Sequence, residues 1–140
     1  MKSKIKLVEN MQFVGTAESG HAVIMDAPSS VGGNNTGSKP SELLLMAFGG
    51  CSGMDVISIL RKKKETVTDF QINVSGETAE NYPHMFIEMH IEYCVTGKNI
   101  SEDAVKRAVD LSLEKYCMVG ATLGEAARIT HSYKILEDRS

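Results

Sequence analysis

The sequence contains no tryptophan, and only 6% of its 140 residues are aromatic. A surface on which nucleic-acid bases could stack is therefore not expected. Basic residues are not in excess either, because 15 Lys and Arg are set against 18 Asp and Glu, for a net charge of -3 at pH 7. Nucleic-acid binding normally requires a basic surface, so no nucleic acid is predicted as a partner.

Cysteine is scarce, and its pattern argues against a disulfide framework and against a metal site. The three cysteines are Cys51, Cys94 and Cys117. Their odd number, together with a polar N-terminus, predicts a reduced, cytoplasmic protein rather than a secreted one. No Cys-x-x-Cys or His-x-x-x-His spacing occurs, so no metal is predicted. The glycine-rich stretch 29–38 lacks the ending of a phosphate loop, and no cofactor is predicted.

Ordinary contents of hydrophobic residues (42%) and charged residues (24%) predict one soluble globular domain over residues 1–140. Turn residues and hydropathy patterns divide this domain into strands and two helices. The order of strands, helix, strands, helix, strand predicts an α+β fold, with two central helices packed against antiparallel strands. The predicted strands cover 12–17, 22–26, 70–76, 85–95 and 128–136, the first two joined as a hairpin by Ser19-Gly20, and the predicted helices run from Pro40 to about Lys62 and from Ser101 to about Cys117.

The first predicted helix is apolar on almost all sides, which fits either a buried central helix or a membrane span. Asp55 in its middle would be costly in lipid, and several glycine and serine residues weaken its hydrophobicity. A buried helix is therefore favoured, and no membrane partner is predicted. Because a monomer of 140 residues can hardly cover such a helix, a homodimer is expected.

Cys51 and Cys117 each occur in a helical context, and two interpretations of them remain open. Both could be buried, unreactive cysteines, since free cysteine is among the most buried residue types. Alternatively, they could form a redox pair, in which one thiolate is oxidised to a sulfenic acid and the other condenses with it to a disulfide. Cys94 falls on the wetter face of the alternating strand 85–95.

The stretch from Gly37-Ser38-Lys39-Pro40 to Phe48-Gly49-Gly50-Cys51 resembles the central-helix motif of the OsmC/Ohr family, and Lys115-Tyr116-Cys117 resembles that family's second cysteine segment. The resemblance covers essentially the whole chain. It implies an intertwined homodimer with sites at the subunit interface. It also implies reduction of organic hydroperoxides, with Cys51 as the peroxidatic residue, Cys117 as the resolving residue, and a dithiol, lipoyl-type in the better-known branch, as the reductant.

Two departures from the family pattern bear on activity. The family's peroxidases hold the thiolate with an N-terminal arginine, whereas no arginine precedes Arg61 here. They also place a glutamate directly after the helix-opening proline, whereas here Ser41 takes that position and Glu42 follows. One residue along a helix is a rotation of about 100°, so Glu42 is only a candidate supporting residue. The alternative function is a non-catalytic protein that binds a small apolar ligand at the dimer interface, with the cysteines lining the pocket.

Overall fold

Groups of strands are separated by helices along the chain, in an α+β arrangement that confirms the predicted fold class. The computed structural model describes all residues from Met1 to Ser140. Its elements are β1 (Ser3–Glu9), β2 (Gln12–Ala17), β3 (Ala22–Met25), α1 (Pro40–Lys62), β4 (Thr66–Thr78), β5 (Phe86–Lys98), α2 (Glu102–Leu111), α3 (Met118–Gly124) and β6 (Arg128–Glu137). They fall into two compact units, Met1–Leu44 and Leu45–Ser140. The expectation of a single domain over 1–140 stays a prediction.

The first unit is built on an antiparallel sheet of β1, β2 and β3. The predicted hairpin is confirmed, with β2 paired to β3 from Phe13–Met25 to Thr16–Ala22. Gly20 in its turn has a φ of +86°, a value that favours glycine. Strand β1 was not predicted, although its Lys4-Ile5-Lys6-Leu7 run alternates polar and apolar residues. Every residue of β1 is exposed.

The second unit contains a sheet in the order β4-β5-β6. Strands β4 and β5 are antiparallel, but β5 and β6 are parallel. The expectation of antiparallel strands throughout is therefore wrong at β6. The physical reason is the connection, because α2 and α3 carry the chain across the sheet before β6 begins, and such a crossover returns a strand in the parallel direction.

Strand β5 supplies the centre of the core. Its buried residues alternate with half-buried ones, as the sequence pattern predicted. The alternation of strand 85–95 predicts a buried face of the apolar odd-numbered residues. This prediction is wrong at the start of the segment, since Met85 and Ile87 are each 51% exposed. The buried members of that face are Met89, Ile91, Tyr93 and Val95.

The second predicted helix begins as expected but ends early. Ser101 caps α2 by accepting a hydrogen bond from the Ala104 N–H at 3.3 Å. Helix α2 ends at Leu111, however, and a single π-helical turn follows over Ser112–Tyr116. Cys117 then takes an extended conformation and caps α3. Helix α3 was not predicted, because Gly120 and Gly124 are weak helix formers.

Helix α1 has the bounds that the sequence predicted, but it is not buried on all sides in the single chain. Its buried residues are Phe48, Gly49, Ser52, Gly53, Val56 and Leu60. Met46 and Met54 are 56% and 73% exposed. This helix is long enough and apolar enough to cross a membrane. Core helices of soluble proteins meet the same criteria of length and composition. Its buried apolar residues join those of β5 and α2 in one core cluster.

Candidate active site

Helix α1 lies close to β4 along the turn that carries Cys51. A Cβ atom added at Gly49 would be 3.1 Å from Val74 Cγ2, and one added at Gly53 would be 2.5 Å from Ile72 Cδ1. Because Gly49 and Gly53 have no side chains, α1 can approach β4 closely both before and after Cys51. The Cys51 thiol itself is free and half-buried.

Cys117 is only 3% exposed and lies at the start of α3. Its Sγ accepts a hydrogen bond from the Gly120 N–H at 3.2 Å, and its own N–H donates to the Ser112 carbonyl oxygen at 2.8 Å. Gly120 has to lack a Cβ here, because that atom would be 3.2 Å from Cys117 Sγ and 2.9 Å from Phe48 Cε2. Local backbone contacts thus hold the sulfur in place.

The structure brings Cys51 and Cys117 together. The pKa of the Cys117 thiol is raised to about 11, mainly by burial. The Gly120 N–H acts in the opposite direction, and the neighbouring Cys51 thiol and the charge of Asp55 act in the same direction as burial. At neutral pH Cys117 is therefore a protonated thiol beside Cys51.

A chain of buried hydroxyl groups lies next to the cysteine pair, and sequence reasoning did not find it. Ser52 Oγ is 2.6 Å from Tyr93 Oη and 2.7 Å from Ser112 Oγ, and Ser112 Oγ donates to Asp55 Oδ2 at 3.0 Å. Burial raises the pKa of Tyr93 to about 12, against the lowering effect of the Ser52 hydrogen bond. Asp55 was the available signal, since a carboxylate in an apolar helix needs a partner.

Cys94 and Glu42 each make contacts of their own. Cys94 lies on the outer face of the sheet, because successive residues of β5 point to opposite faces and Tyr93 points inward. Burial and a hydrogen bond to Glu92 raise the pKa of Cys94. Glu42 accepts a hydrogen bond from the Lys39 N–H at 2.8 Å and pairs with the Lys39 ammonium at 3.7 Å. These contacts cap α1, and a supporting role for Glu42 in chemistry stays a prediction.

Two apolar cavities could receive an organic molecule. One of about 410 Å³ lies between α1 and β4 and includes Gly49 and Gly50, directly before Cys51. Another of about 600 Å³ lies in the first unit and is lined by side chains such as Ile5, Phe13 and Met25. No group of three or more His, Cys, Asp or Glu side chains is arranged to hold a metal ion.

A family model described as OsmC-like protein matches residues 32–132. The chain belongs to the OsmC-like protein family. It is 42% identical over 139 residues to protein YhfA of Escherichia coli strain K12, covering 97% of this chain and 98% of that protein.

Solved structures show the same fold in relatives of this OsmC-like chain. A hypothetical protein from Aquifex aeolicus VF5 is 30% identical, with a TM-score of 0.86 over 99% of this chain and 97% of that one. An organic hydroperoxide resistance protein OsmC from Legionella pneumophila is 11% identical, with a TM-score of 0.67 over 96% and 97% of the two chains. The Legionella structure shares the fold with this chain.

Proposed function

We propose that the protein reduces organic hydroperoxides with the Cys51/Cys117 pair, as part of a defence against oxidative stress in the cytoplasm. The observation that carries this proposal is the pairing of a half-buried thiol with a buried, protonated one. Cys51 is the more exposed of the two, and Gly50 directly before it has open space where a side chain would stand. Cys117 is closed in by Phe48 and Gly120 and suits the second, intramolecular step.

The reaction proceeds in two steps on the protein. The Cys51 thiolate attacks the distal oxygen of the hydroperoxide, the O–O bond breaks, and the alkoxide leaves and takes up a proton to become the alcohol. The sulfur of Cys117 then attacks the Cys51 sulfenic acid, an S–S bond forms, and hydroxide leaves with the thiol proton as water. A dithiol, for which a lipoyl group is one candidate, reduces the disulfide and is itself oxidised.

The proposed substrate class rests on the cavity between α1 and β4, whose lining includes Gly50, the residue before Cys51. The side chains that line it are apolar and come from both elements, so a bulky alkyl or aryl hydroperoxide gains more from burial there than hydrogen peroxide does. The lining residues are Leu45, Met46, Gly49, Gly50, Phe70, Ile72 and Val74.

A second copy of the chain is the proposed partner. Apolar side chains of the first unit are exposed in the single chain, among them Ile5 at 55%, Leu7 at 51% and Val8 at 56%. Several exposed apolar side chains on one strand are typical of a surface that another chain covers. A homodimer would also cover the exposed methionines of α1. Sedimentation at micromolar concentration tests this, and a stable monomer contradicts it.

Free thiols counted before and after addition of cumene hydroperoxide test the enzymatic proposal. We expect two thiols per chain to be lost, and dithiothreitol to restore both. A Cys94→Ser protein serves as the control, because Cys94 lies on the outer face of the sheet and its removal should leave the loss unchanged. If no thiols are lost when cumene hydroperoxide is present in excess, the proposal is contradicted.

The alternative, a non-catalytic protein that binds a small apolar ligand, is favoured by the cavity of about 600 Å³ in the first unit. This volume is within the usual range of ligand pockets. In that case an apolar fluorescent probe should bind with equal affinity to wild-type protein and to Cys51→Ser, while hydroperoxide leaves the thiol count unchanged.

A further inference from the structure

Four consecutive cations stand at the C-terminal end of α1. Arg61 and Lys62 occupy the last turn of the helix, and Lys63 and Lys64 lead from it toward β4. All four residues are exposed. None of them takes part in an ion pair, because the five ion pairs of the protein involve other residues. These four residues, called the basic cluster below, therefore present four unpaired positive charges to solvent.

The stability of the helix does not explain the whole cluster. Cations in the last turn stabilise a helix through its dipole, but this effect falls off within that turn. It therefore accounts for Arg61 and Lys62 and not for the two lysines that follow. Lys64 has a φ of +61°, a left-handed conformation that glycine adopts at low cost and that a side chain disfavours. A lysine in this conformation points to a use for its charge.

The surroundings of the cluster favour an acidic protein surface over other anionic partners. Glu65 directly follows the cluster, but its carboxylate accepts the Ser101 N–H at 3.0 Å. The exposed residues on either side in the sequence include Ser58, Thr66 and Thr68, which are polar and could not enter a lipid bilayer. A nucleic acid would be repelled by the net charge of -3 of the whole chain. A local patch of positive charge is thus matched best by a local patch of negative charge.

The cluster is close to Cys51 along the same helix. Lys62 follows Cys51 by 11 residues within α1. At about 100° and 1.5 Å per residue, this places the two positions within about 20° of the same helix face and about 16 Å apart along the axis. A docking footprint of about 800 Å² per partner is about 30 Å across. A partner bound at the cluster would therefore extend as far along α1 as Cys51.

The proposed reaction needs a partner that binds and leaves again. It ends with Cys51 and Cys117 joined by a disulfide, and the only further cysteine of the chain is Cys94 on the outer face of the sheet. The two thiols that reduce this disulfide must therefore come from outside the chain. Attraction between charged surfaces suits such a partner, because it speeds association more than it raises affinity.

We propose that the basic cluster is the docking surface for an acidic protein that supplies the reducing dithiol. The inference rests on the proposed function, since the Cys51–Cys117 disulfide is what the partner reduces. The partner's two thiols lose two electrons and two protons and become a disulfide, and the Cys51–Cys117 bond breaks and takes these up as two thiols. In the proposed homodimer the two clusters repel each other, which keeps them away from the two-fold interface.

The test compares two dithiol peptides of equal length as reductants. One carries glutamates on both sides of a Cys-Gly-Cys sequence, and the other carries glutamines there. Diamide, which oxidises thiols without any hydroperoxide, forms the Cys51–Cys117 disulfide beforehand in a Cys94→Ser background. The acidic peptide should reduce this disulfide about tenfold faster than the neutral one. The difference should disappear at about 1 M salt, where the screening length falls to about 3 Å.

Charge reversal at the cluster should remove the preference for the acidic peptide. Lys62→Glu/Lys63→Glu brings the net charge of the cluster to zero. Lys4→Glu/Lys6→Glu makes the same change of charge on exposed β1 and is the matched control, which should keep the preference. Dithiothreitol is neutral and needs no docking, so its rate reports whether the disulfide itself is unaltered. A preference that persists in Lys62→Glu/Lys63→Glu, or that the control loses equally, would overturn the proposal.

A second variant separates docking from helix stability. Lys63→Gln/Lys64→Gly removes two charges and places glycine at the left-handed position. Its midpoint of urea denaturation should equal or exceed that of the wild type, while the preference for the acidic peptide should fall. A purely structural role of the cluster predicts the opposite pattern, with the preference unchanged, and that result would contradict docking.

Vesicles of phosphatidylglycerol in phosphatidylcholine test the other anionic partner. Equal rates for the two peptides, together with vesicle binding that Lys62→Glu/Lys63→Glu abolishes, would replace the protein partner by a lipid surface. If cumene hydroperoxide oxidises no thiols but the disulfide formed by diamide shows the charge preference, the reductase proposal fails and the docking surface stands. If hydroperoxide oxidises both thiols and the two peptides react equally, the docking surface fails and the reductase proposal stands.

Discussion

The hydroxyl oxygens of Ser52 and Ser112 lie 2.7 Å apart in the protein interior, although 60 residues separate them in the sequence. Ser52 is the neighbour of Cys51, and Ser112 accepts the backbone N–H of Cys117. This one hydrogen bond therefore connects the two segments whose sulfurs are brought together. Its contribution to stability and its effect on the cysteines can be measured separately.

Replacement of Ser52 by alanine should destabilise the protein. The variant removes the middle hydroxyl of a fully buried chain and leaves the Tyr93 and Ser112 hydroxyls short of a partner, at a cost of about 1–3 kcal/mol in the free energy of unfolding. Urea denaturation measures this loss. Ser58→Ala, an exposed position on the same helix, is the control and should change stability little.

The cysteine variants should separate the two steps of the proposed reaction. Cys51→Ser should abolish hydroperoxide turnover, because the attacking sulfur is gone. Cys117→Ser should consume about one equivalent in a first turnover and then stall or become over-oxidised, because no resolving thiol remains. Peroxide consumption and the mass of the intact protein report both outcomes. A Cys51→Ser protein that works at the wild-type rate would end the reductase hypothesis.

Stability should fall in alkaline solution because of Cys117. Its thiol has a reference pKa of 9.0 and a pKa of about 11 in the folded protein, so between these values the folded state binds more protons than the unfolded state. The contribution is complete below pH 9 and is lost as the pH rises through about 11. Denaturation curves across this range should show a smaller loss for Cys117→Ser than for wild type. Equal slopes in the two proteins would contradict the assignment.

Gly120→Ala should disturb the site directly. The added Cβ would be 2.9 Å from Phe48 Cε2 and 3.2 Å from Cys117 Sγ, so the ring and the sulfur have to shift. We expect a loss of about 1–3 kcal/mol in stability, as for other overpacked cores, and slower formation of the Cys51–Cys117 disulfide. Gly124→Ala on the same helix is the matched control, because its Cβ would meet Ile129 at an ordinary 3.7 Å.

Asp26 should make the first unit sensitive to acid. Its carboxylate accepts hydrogen bonds from the Thr36 hydroxyl and from the N–H groups of Ala27, Asn34 and Thr36. The Thr36 side-chain bond is the main cause of a lowered pKa, so the carboxylate's contribution is present above its usual value of 3.8 and is lost as the pH falls through the folded value.

Asp26→Asn should therefore loosen the 27–38 loop, and limited proteolysis measures this as faster cleavage there. The control is Asp69→Asn, which should leave the loop as resistant as in the wild type. Unchanged cleavage of the loop in Asp26→Asn would show that these hydrogen bonds do not hold it.

Features that depend on local pattern could be predicted from the sequence. Pro40 and Glu42 marked the start of α1, Ser101 marked the start of α2, and alternation of apolar residues predicted the buried face of β5. The motif around Cys51 pointed to the right family, because it combines residue types over a short stretch of a single helix.

Features that depend on residues far apart in the chain were recognised only in the folded structure. The parallel pairing of β6 follows from the crossover through α2 and α3, and no local pattern encodes it. Likewise Ser52, Tyr93 and Ser112 are small or amphipathic residues on three separate elements, and none of them is unusual in its own segment. Their hydrogen-bonded chain forms because packing buries all three side chains. A buried hydroxyl needs a hydrogen-bond partner in the protein, whereas an exposed hydroxyl can bond to water.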